Sequence, residues 1–129
     1  MKYGLILIAG LGLAGCSIPI KQASVTQFSD GTMLRMTGEI QGRPVGNSSF
    51  ALSEVGGGMS CSGVTTRGGA GTMTCSDGST ANFQVPREKY GTFNGSYVHS
   101  QPDGSITASG WGKEADLVLL QNLLNASAQ

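Results

Sequence analysis

Apolar and polar residues alternate along most of this chain, in short runs that turn residues separate. Between residues 32 and 40, Leu34, Met36 and Ile40 fall on one face of an extended backbone, and mostly polar residues fall on the other. A period of two is typical of a half-buried β-strand. Runs of this kind predict strands at residues 23–28, 32–40, 49–55, 59–65, 70–75, 79–85, 90–99 and 105–111.

Three Asp-Gly pairs separate these runs, at Asp30-Gly31, Asp77-Gly78 and Asp103-Gly104. Asp hydrogen-bonds its own backbone and Gly tolerates positive φ, so each pair predicts a tight turn. Short strands with turn residues between them are typical of an antiparallel sheet that closes or curls. We therefore expect a mainly β protein, an antiparallel β-sandwich or a small barrel or curled sheet of about 7–8 strands.

The last element has a different period. Leu117, Leu120 and Leu124 share one helical face, while Gln121 and Asn122 lie outside it. A leucine-rich run of this period predicts a C-terminal helix over residues 113–125, with a final β-strand as the alternative. The helix is expected to pack on the sheet or to fill one end of a barrel. Residues 23–129 then form a single β-rich domain.

The N-terminus has the layout of an export signal, with Lys2 followed by an apolar run over residues 3–12. The next four residues, Leu13-Ala14-Gly15-Cys16, resemble a bacterial lipobox, the motif recognised by lipoprotein signal peptidase. The resemblance implies a signal peptide at 1–15, cleavage before Cys16, and a lipidated tether at 16–22. It also implies a diacylglycerol on the Cys16 sulfur and an acyl group such as palmitate on its amino group. A membrane-spanning helix needs about 20 apolar residues, and this run is shorter.

The residue after the cysteine bears on location. In the enterobacterial sorting rule an Asp at this place retains a lipoprotein at the inner membrane, so Ser17 implies the outer membrane, and the periplasmic face is expected. The expected partners are the membrane, through the lipid, and an envelope protein. Without Lys2 the chain has seven basic and eight acidic residues, a net charge of −1. Because phosphate binding depends on clustered Lys and Arg, nucleic acid is not expected as a partner.

The chain has 3 cysteines, and the lipobox assigns Cys16 to lipid. Cys61 and Cys75 remain, an even pair for an oxidising compartment, and they lie at the outer ends of a predicted hairpin. We predict a disulfide between them. A redox pair or a metal site is the alternative, although redox pairs more usually read C-x-x-C and a tetrahedral metal site needs four ligands.

No catalytic motif is visible in the sequence. The chain has 1 histidine, His99, and its place beside a Pro-Asp-Gly turn predicts exposure to solvent. No G-x-S-x-G elbow surrounds any serine, and the glycine runs lack phosphate-binding spacing. Copper binding by methionines with His99 is a weaker alternative to core packing, because Met33 and Met36 face opposite sides of a strand. We expect no cofactor, no metal and no enzymatic activity.

Two further resemblances concern the mature chain. The glycine-rich pattern around Cys61 and Cys75 resembles small proteobacterial lipoproteins of unknown function. The run Trp111-Gly112-Lys113-Glu114-Ala115 resembles the C-terminal signature of membrane-bound inhibitors of C-type lysozyme, which are small lipoprotein β-barrels with a disulfide. That resemblance implies that Lys113 and Ser96 would enter a lysozyme cleft. The function expected is a structural or binding role in the envelope, with a periplasmic inhibitor of a lysozyme-type hydrolase as the alternative.

Overall fold

The structure is a computed structural model that describes residues 19–42 and 47–127. Eight strands form one antiparallel sheet with the spatial order β6-β5-β4-β3-β2-β1-β8-β7. In chain order they are β1 (Ile20–Gln27), β2 (Met33–Gly42), β3 (Ser48–Glu54), β4 (Ser60–Thr65), β5 (Ala70–Cys75), β6 (Thr80–Gln84), β7 (Gly95–Ser100) and β8 (Ile106–Trp111). The sheet curls into a half-barrel, and a helix, α1 (Leu117–Ser127), follows it. The prediction of a mainly β fold with a C-terminal helix is therefore confirmed, in its curled-sheet form.

Two strand starts differ from the sequence prediction by more than one residue. β1 begins at Ile20, inside the predicted tether, because Ile20 pairs with Ile40 and adds three residues to the ladder. β7 begins at Gly95 and not at residue 90. The Tyr90 backbone N–H donates to the Pro86 carbonyl, so the preceding segment turns and does not extend.

The predicted helix 113–125 begins later than expected. One 3₁₀ turn spans Gly112–Glu114, and α1 starts at Leu117. The Asp116 carboxylate accepts hydrogen bonds from the Val118 and Leu119 backbone N–H groups, which is the geometry of an N-cap. The cap fixes the start of the helix.

Two apolar clusters lie on opposite sides of the sheet. On the convex side, Leu120 and Leu124 of α1 pack on Ala23, Val25 and Ala108. On the concave side, a second cluster belongs to β2–β5 and centres on Met36, Phe50, Leu52 and Cys61. The helix thus covers the back of β1 and β8, while the second cluster faces the interior of the curl.

Because neighbouring strands run antiparallel, the two ends of the sheet carry different turns. We call the end where β1 begins, at Ile20, the tether end. The opposite end, which we call the turn end, carries the three Asp-Gly turns because β1, β5 and β7 all finish there. Each of these turns has its glycine in the left-handed region, for example Gly78 at φ 88°.

The lipobox Leu13-Ala14-Gly15-Cys16 lies outside the described residues, and its assignment stays a prediction. Within the described part of the chain, no helix has the length and apolarity needed to cross a bilayer.

Candidate binding site on the concave face

The concave face of the curled sheet encloses a cavity of about 530 Å³. Its lining comes from all eight strands, from turns between them and from the segment between β6 and β7. Small-molecule sites are typically cavities of about 300–1,000 Å³ that are mostly apolar and carry a few placed polar groups. The size of this cavity lies in that range, so its lining decides what it can hold.

One wall of the cavity is mostly apolar. It is formed by the inward side chains of β2–β6, which include Leu34, Met36, Ile40, Phe50, Leu52, Met73, Ala81 and Phe83. The rings of Phe50 and Phe83 meet edge to face, with centroids 5.7 Å apart. This wall can bury hydrocarbon or the face of an apolar ring.

The opposite wall is polar. It is formed by the inward side chains of β1, β8 and β7, namely Gln22, Ser24, Thr26, Thr107, Ser109, Tyr97 and His99, with Trp111 at the tether end. The Thr26 and Thr107 hydroxyls, on paired strands, hydrogen-bond each other at 2.8 Å. Ser24 is buried at 7% exposure. A surface that served only as a folding core would not place hydroxyl and amide groups here, because buried polar groups add desolvation costs.

Two polar atoms on this wall are buried without a partner. Among the described residues, no group hydrogen-bonds to Gln22 Oε1 or to His99 Nδ1. Buried polar atoms usually have a partner, and an unsatisfied one costs about 1–3 kcal/mol. The two atoms therefore mark places where a bound molecule would be recognised by hydrogen bonding.

His99 is half-buried, which corrects the prediction that it is exposed. Its strand places it on the inward side, where it stacks on Tyr97 with ring centroids 5.3 Å apart. Burial lowers the pKa of His99 and raises the pKa of Tyr97 to about 12. Both side chains are consequently neutral at physiological pH.

Aromatic rings lie over glycines on neighbouring strands. Trp111 pairs with Gly95, and a Cβ at Gly95 would come within 2.5 Å of the indole. Phe83 covers Gly71 and Phe50 covers Gly63 in the same way. The glycines let the rings lie low against the sheet, which leaves the space above them open.

The Trp111 indole is held at the tether end of the cavity. It is 7% exposed, its N–H donates to the Thr92 carbonyl at 2.9 Å, and its ring contacts Tyr97 edge to face. Trp111 is the single tryptophan of the chain, so its fluorescence reports on this site.

The charged residues that line the cavity lie near its ends. Asp77 and Asp103 belong to Asp-Gly turns at the turn end, where each accepts bonds from the hydroxyl and N–H of a serine two residues on. These bonds hold the pKa of both carboxyls below the usual value of 3.8. Lys89 donates to the Ser96 carbonyl. The middle of the cavity is therefore uncharged among the described residues.

The predicted disulfide between Cys61 and Cys75 is confirmed, with an S–S distance of 2.02 Å, and both cysteines line the cavity. Among the described residues no three His, Cys, Asp or Glu side chains come together as metal ligands would.

The two residues implied by the inhibitor resemblance have different surroundings. Ser96 is 5% exposed and its hydroxyl donates to Glu114 Oε1 at 2.6 Å. Lys113 is exposed, and its backbone N–H donates to Asn94 Oδ1. The Ser96 hydroxyl is therefore engaged inside the protein, and Lys113 alone presents a free side chain to a partner.

The cavity residues were not identified from the sequence as a site. The only sequence pattern that includes them is the alternation of Thr107 and Ser109 with Ala108 and Gly110 in β8. That alternation by itself predicts that the polar residues face solvent. Comparison with protein-family models, with characterised proteins and with solved structures finds no match to the chain.

Proposed function

We propose that this chain is a lipid-anchored lipoprotein of the outer membrane whose half-barrel is a non-catalytic binding module for a small, largely apolar molecule. The observation that carries the proposal is the cavity of about 530 Å³, with an apolar wall facing a polar wall that holds unpartnered atoms. Such a combination of apolar area and a few convergent polar groups is typical of ligand sites.

The position of the anchor supports the same function. Cys16 precedes the first residue of β1 by four positions, and four residues of extended chain span at most about 14 Å. The tether end of the cavity therefore stays within about 14 Å of the lipidated residue. Ile20, Ile40 and Phe50, which line that end, would lie close to the bilayer surface.

The binding function is tested with the protein as its host processes it, placed in phosphatidylcholine vesicles. The probe is N-phenyl-1-naphthylamine, excited by energy transfer from Trp111. Ala81 faces the cavity from β6, so Ala81→Phe is expected to fill the space and lower probe binding about tenfold. Asn82→Phe adds the same ring on the outer face of the same strand and controls for insertion of the probe into the bilayer. Equal probe binding by the two variants would overturn the proposal.

The anchor is tested by the intact mass of the membrane-extracted protein. We expect the mass of a chain that begins at Cys16 with diacylglycerol and one further acyl group. Cys16→Ala is expected to lose the acyl mass and to retain the leader. An unmodified wild-type chain that carries residues 1–15 would contradict the lipoprotein assignment.

A further inference from the structure

The polar wall also indicates which chemical class of ligand the cavity takes, an inference that rests on the binding function proposed above. Gln22 Oε1 is a pure acceptor, so a partner for it must bring a hydrogen-bond donor. It lies on the inner face of β1, opposite Trp111 of β8 in the ladder, and it is buried without a partner among the described residues.

A second unpartnered polar position among the described residues is offered by His99. In the ladder His99 pairs with Thr107, which pairs with Thr26, four residues beyond Gln22. At about 3.3 Å per residue, the two positions are about 13 Å apart along the strand direction, and they lie two strands apart across the sheet. Because the imidazole is neutral, Nδ1 can accept or donate a hydrogen bond, depending on the tautomer.

The charge of the ligand follows from the same lining. Between Asp77 and Asp103 at the turn end and Lys89 near the tether end, the described lining carries no charged side chain. The Lys89 ammonium donates to the Ser96 carbonyl near the tether end. In the middle of the cavity a buried carboxylate or phosphate would lack a counter-charge, and an unpaired buried ion costs far more than a neutral polar group. The part of the ligand that lies beyond Lys89 is therefore uncharged.

The remaining surface requires hydrocarbon. The wall of β2–β6 faces the polar wall across the cavity and offers aliphatic side chains and the Phe50 and Phe83 rings. Its tether end, at Ile20 and Ile40, is the end closest to the proposed anchor. A molecule that leaves a bilayer with its hydrocarbon chain first would meet apolar side chains at this end.

From these observations we infer that the cavity binds an uncharged membrane amphiphile with a hydroxyl headgroup, of the monoacylglycerol class. Its hydroxyls would donate to Gln22 Oε1 along the polar wall, and its acyl chain would lie on the wall of β2–β6. Fatty acids and acyl esters fit less well, since an ionised carboxylate and an ester have no donor for Gln22.

The test uses the full-length protein in phosphatidylcholine vesicles and three amphiphiles with the same acyl chain: 1-monolauroylglycerol, methyl laurate and laurate. The change in Trp111 fluorescence is measured against the concentration of each amphiphile in the bilayer. We expect monolauroylglycerol to bind about tenfold more tightly than methyl laurate, as one hydrogen bond of about 1.4 kcal/mol would give. Laurate is expected to bind no better than the ester.

The variant Gln22→Leu is expected to erase the difference between monolauroylglycerol and methyl laurate without weakening the ester. Gln41→Leu makes the same change at an exposed position of β2 and is expected to keep the wild-type preference. The headgroup inference would be overturned if the wild type bound monolauroylglycerol and methyl laurate equally well, or if it bound laurate more tightly than monolauroylglycerol. Either result would leave the proposed binding function in place. If none of the three amphiphiles binds and Ala81→Phe does not lower probe binding, both the headgroup inference and the proposed binding function are overturned.

Discussion

Cys61 and Cys75 lie directly opposite each other on β4 and β5, with their Cα atoms 3.9 Å apart and their disulfide bordering the cavity. The bond closes a hairpin in which the cysteines are 14 positions apart. Closing a loop of about 15 residues in the unfolded chain stabilises a protein by about 3 kcal/mol on the chain-entropy estimate.

The first prediction is that Cys61→Ala with Cys75→Ala lowers the free energy of unfolding by about 3 kcal/mol. Chemical denaturation followed by circular dichroism measures the change. Reduction of the wild type with dithiothreitol is expected to give a similar loss. A double variant as stable as the oxidised wild type would show that the hairpin is held by its strands alone.

The second prediction concerns the packing of α1 on the back of the sheet. Leu124 is 0% exposed in the convex cluster, so Leu124→Ala is expected to cost about 2–5 kcal/mol of unfolding free energy. Val118 lies on the same helix at 72% exposure, and Val118→Ala is expected to change stability by less than about 0.5 kcal/mol. Thermal or denaturant unfolding separates the two, and similar losses would contradict this packing.

The third prediction uses the contact between Gly95 and Trp111. A Cβ at Gly95 would come within 2.5 Å of the indole, so Gly95→Ala is expected to displace the ring and expose it to water. The measurement is a red shift of Trp111 emission together with loss of its near-ultraviolet circular dichroism. Ser109→Ala, beside Trp111 on the same wall but without added volume, serves as the control. An unchanged spectrum in Gly95→Ala would show that the ring does not lie over the glycine.

The fourth prediction concerns the Asp-Gly turns. The Ser79 hydroxyl and N–H bonds hold the pKa of Asp77 below its usual value of 3.8. A carboxyl whose pKa is lowered by folding contributes stability above its unfolded pKa, and this contribution is lost as the pH falls through the folded pKa. Ser79→Ala is therefore expected to raise the pKa of Asp77 towards 3.8 and to destabilise the protein more above that pH than well below it.

Titration of the carboxyl resonances by nuclear magnetic resonance measures this shift. Asp30 provides an internal control, because Thr32 makes the same two bonds to it in a separate turn and is unchanged in the variant. A parallel shift of Asp30, or no shift of Asp77, would contradict the local origin of the effect.

The fifth prediction concerns the lysozyme-inhibitor resemblance. Since the Ser96 hydroxyl is bound to Glu114 and buried, the chain is expected to leave the rate of cell-wall hydrolysis by a C-type lysozyme unchanged. Hydrolysis is followed by the turbidity of a cell suspension. Inhibition that disappears in Lys113→Ala would favour the inhibitor function over the ligand-binding one.

Much of the β architecture follows from local chemistry in the sequence. The Asp-Gly turns, the alternation around Met36 and the leucine spacing of the helix each depend on residues close together in the chain, so they predict the strands and α1. The Cys61–Cys75 pairing follows from the hairpin register between neighbouring strands. The start of β1 at Ile20 was missed because its partner, Ile40, lies on another strand, and residues 20–22 by themselves carry no alternation that extends the predicted strand.

The candidate site was decided by tertiary structure alone. Alternation shows that Thr107 and Ala108 face opposite sides, and it does not show which side is the interior. The packing of α1 against Ala108 and the curl of the sheet turn Thr107, Gln22 and His99 inward, towards Phe50 and Phe83 on distant strands. Where α1 covers its back, the half-barrel has two buried faces, the convex face under the helix and the concave face inside the curl. The polar residues of β1, β7 and β8 would face solvent in a flat sheet, but here they line a cavity.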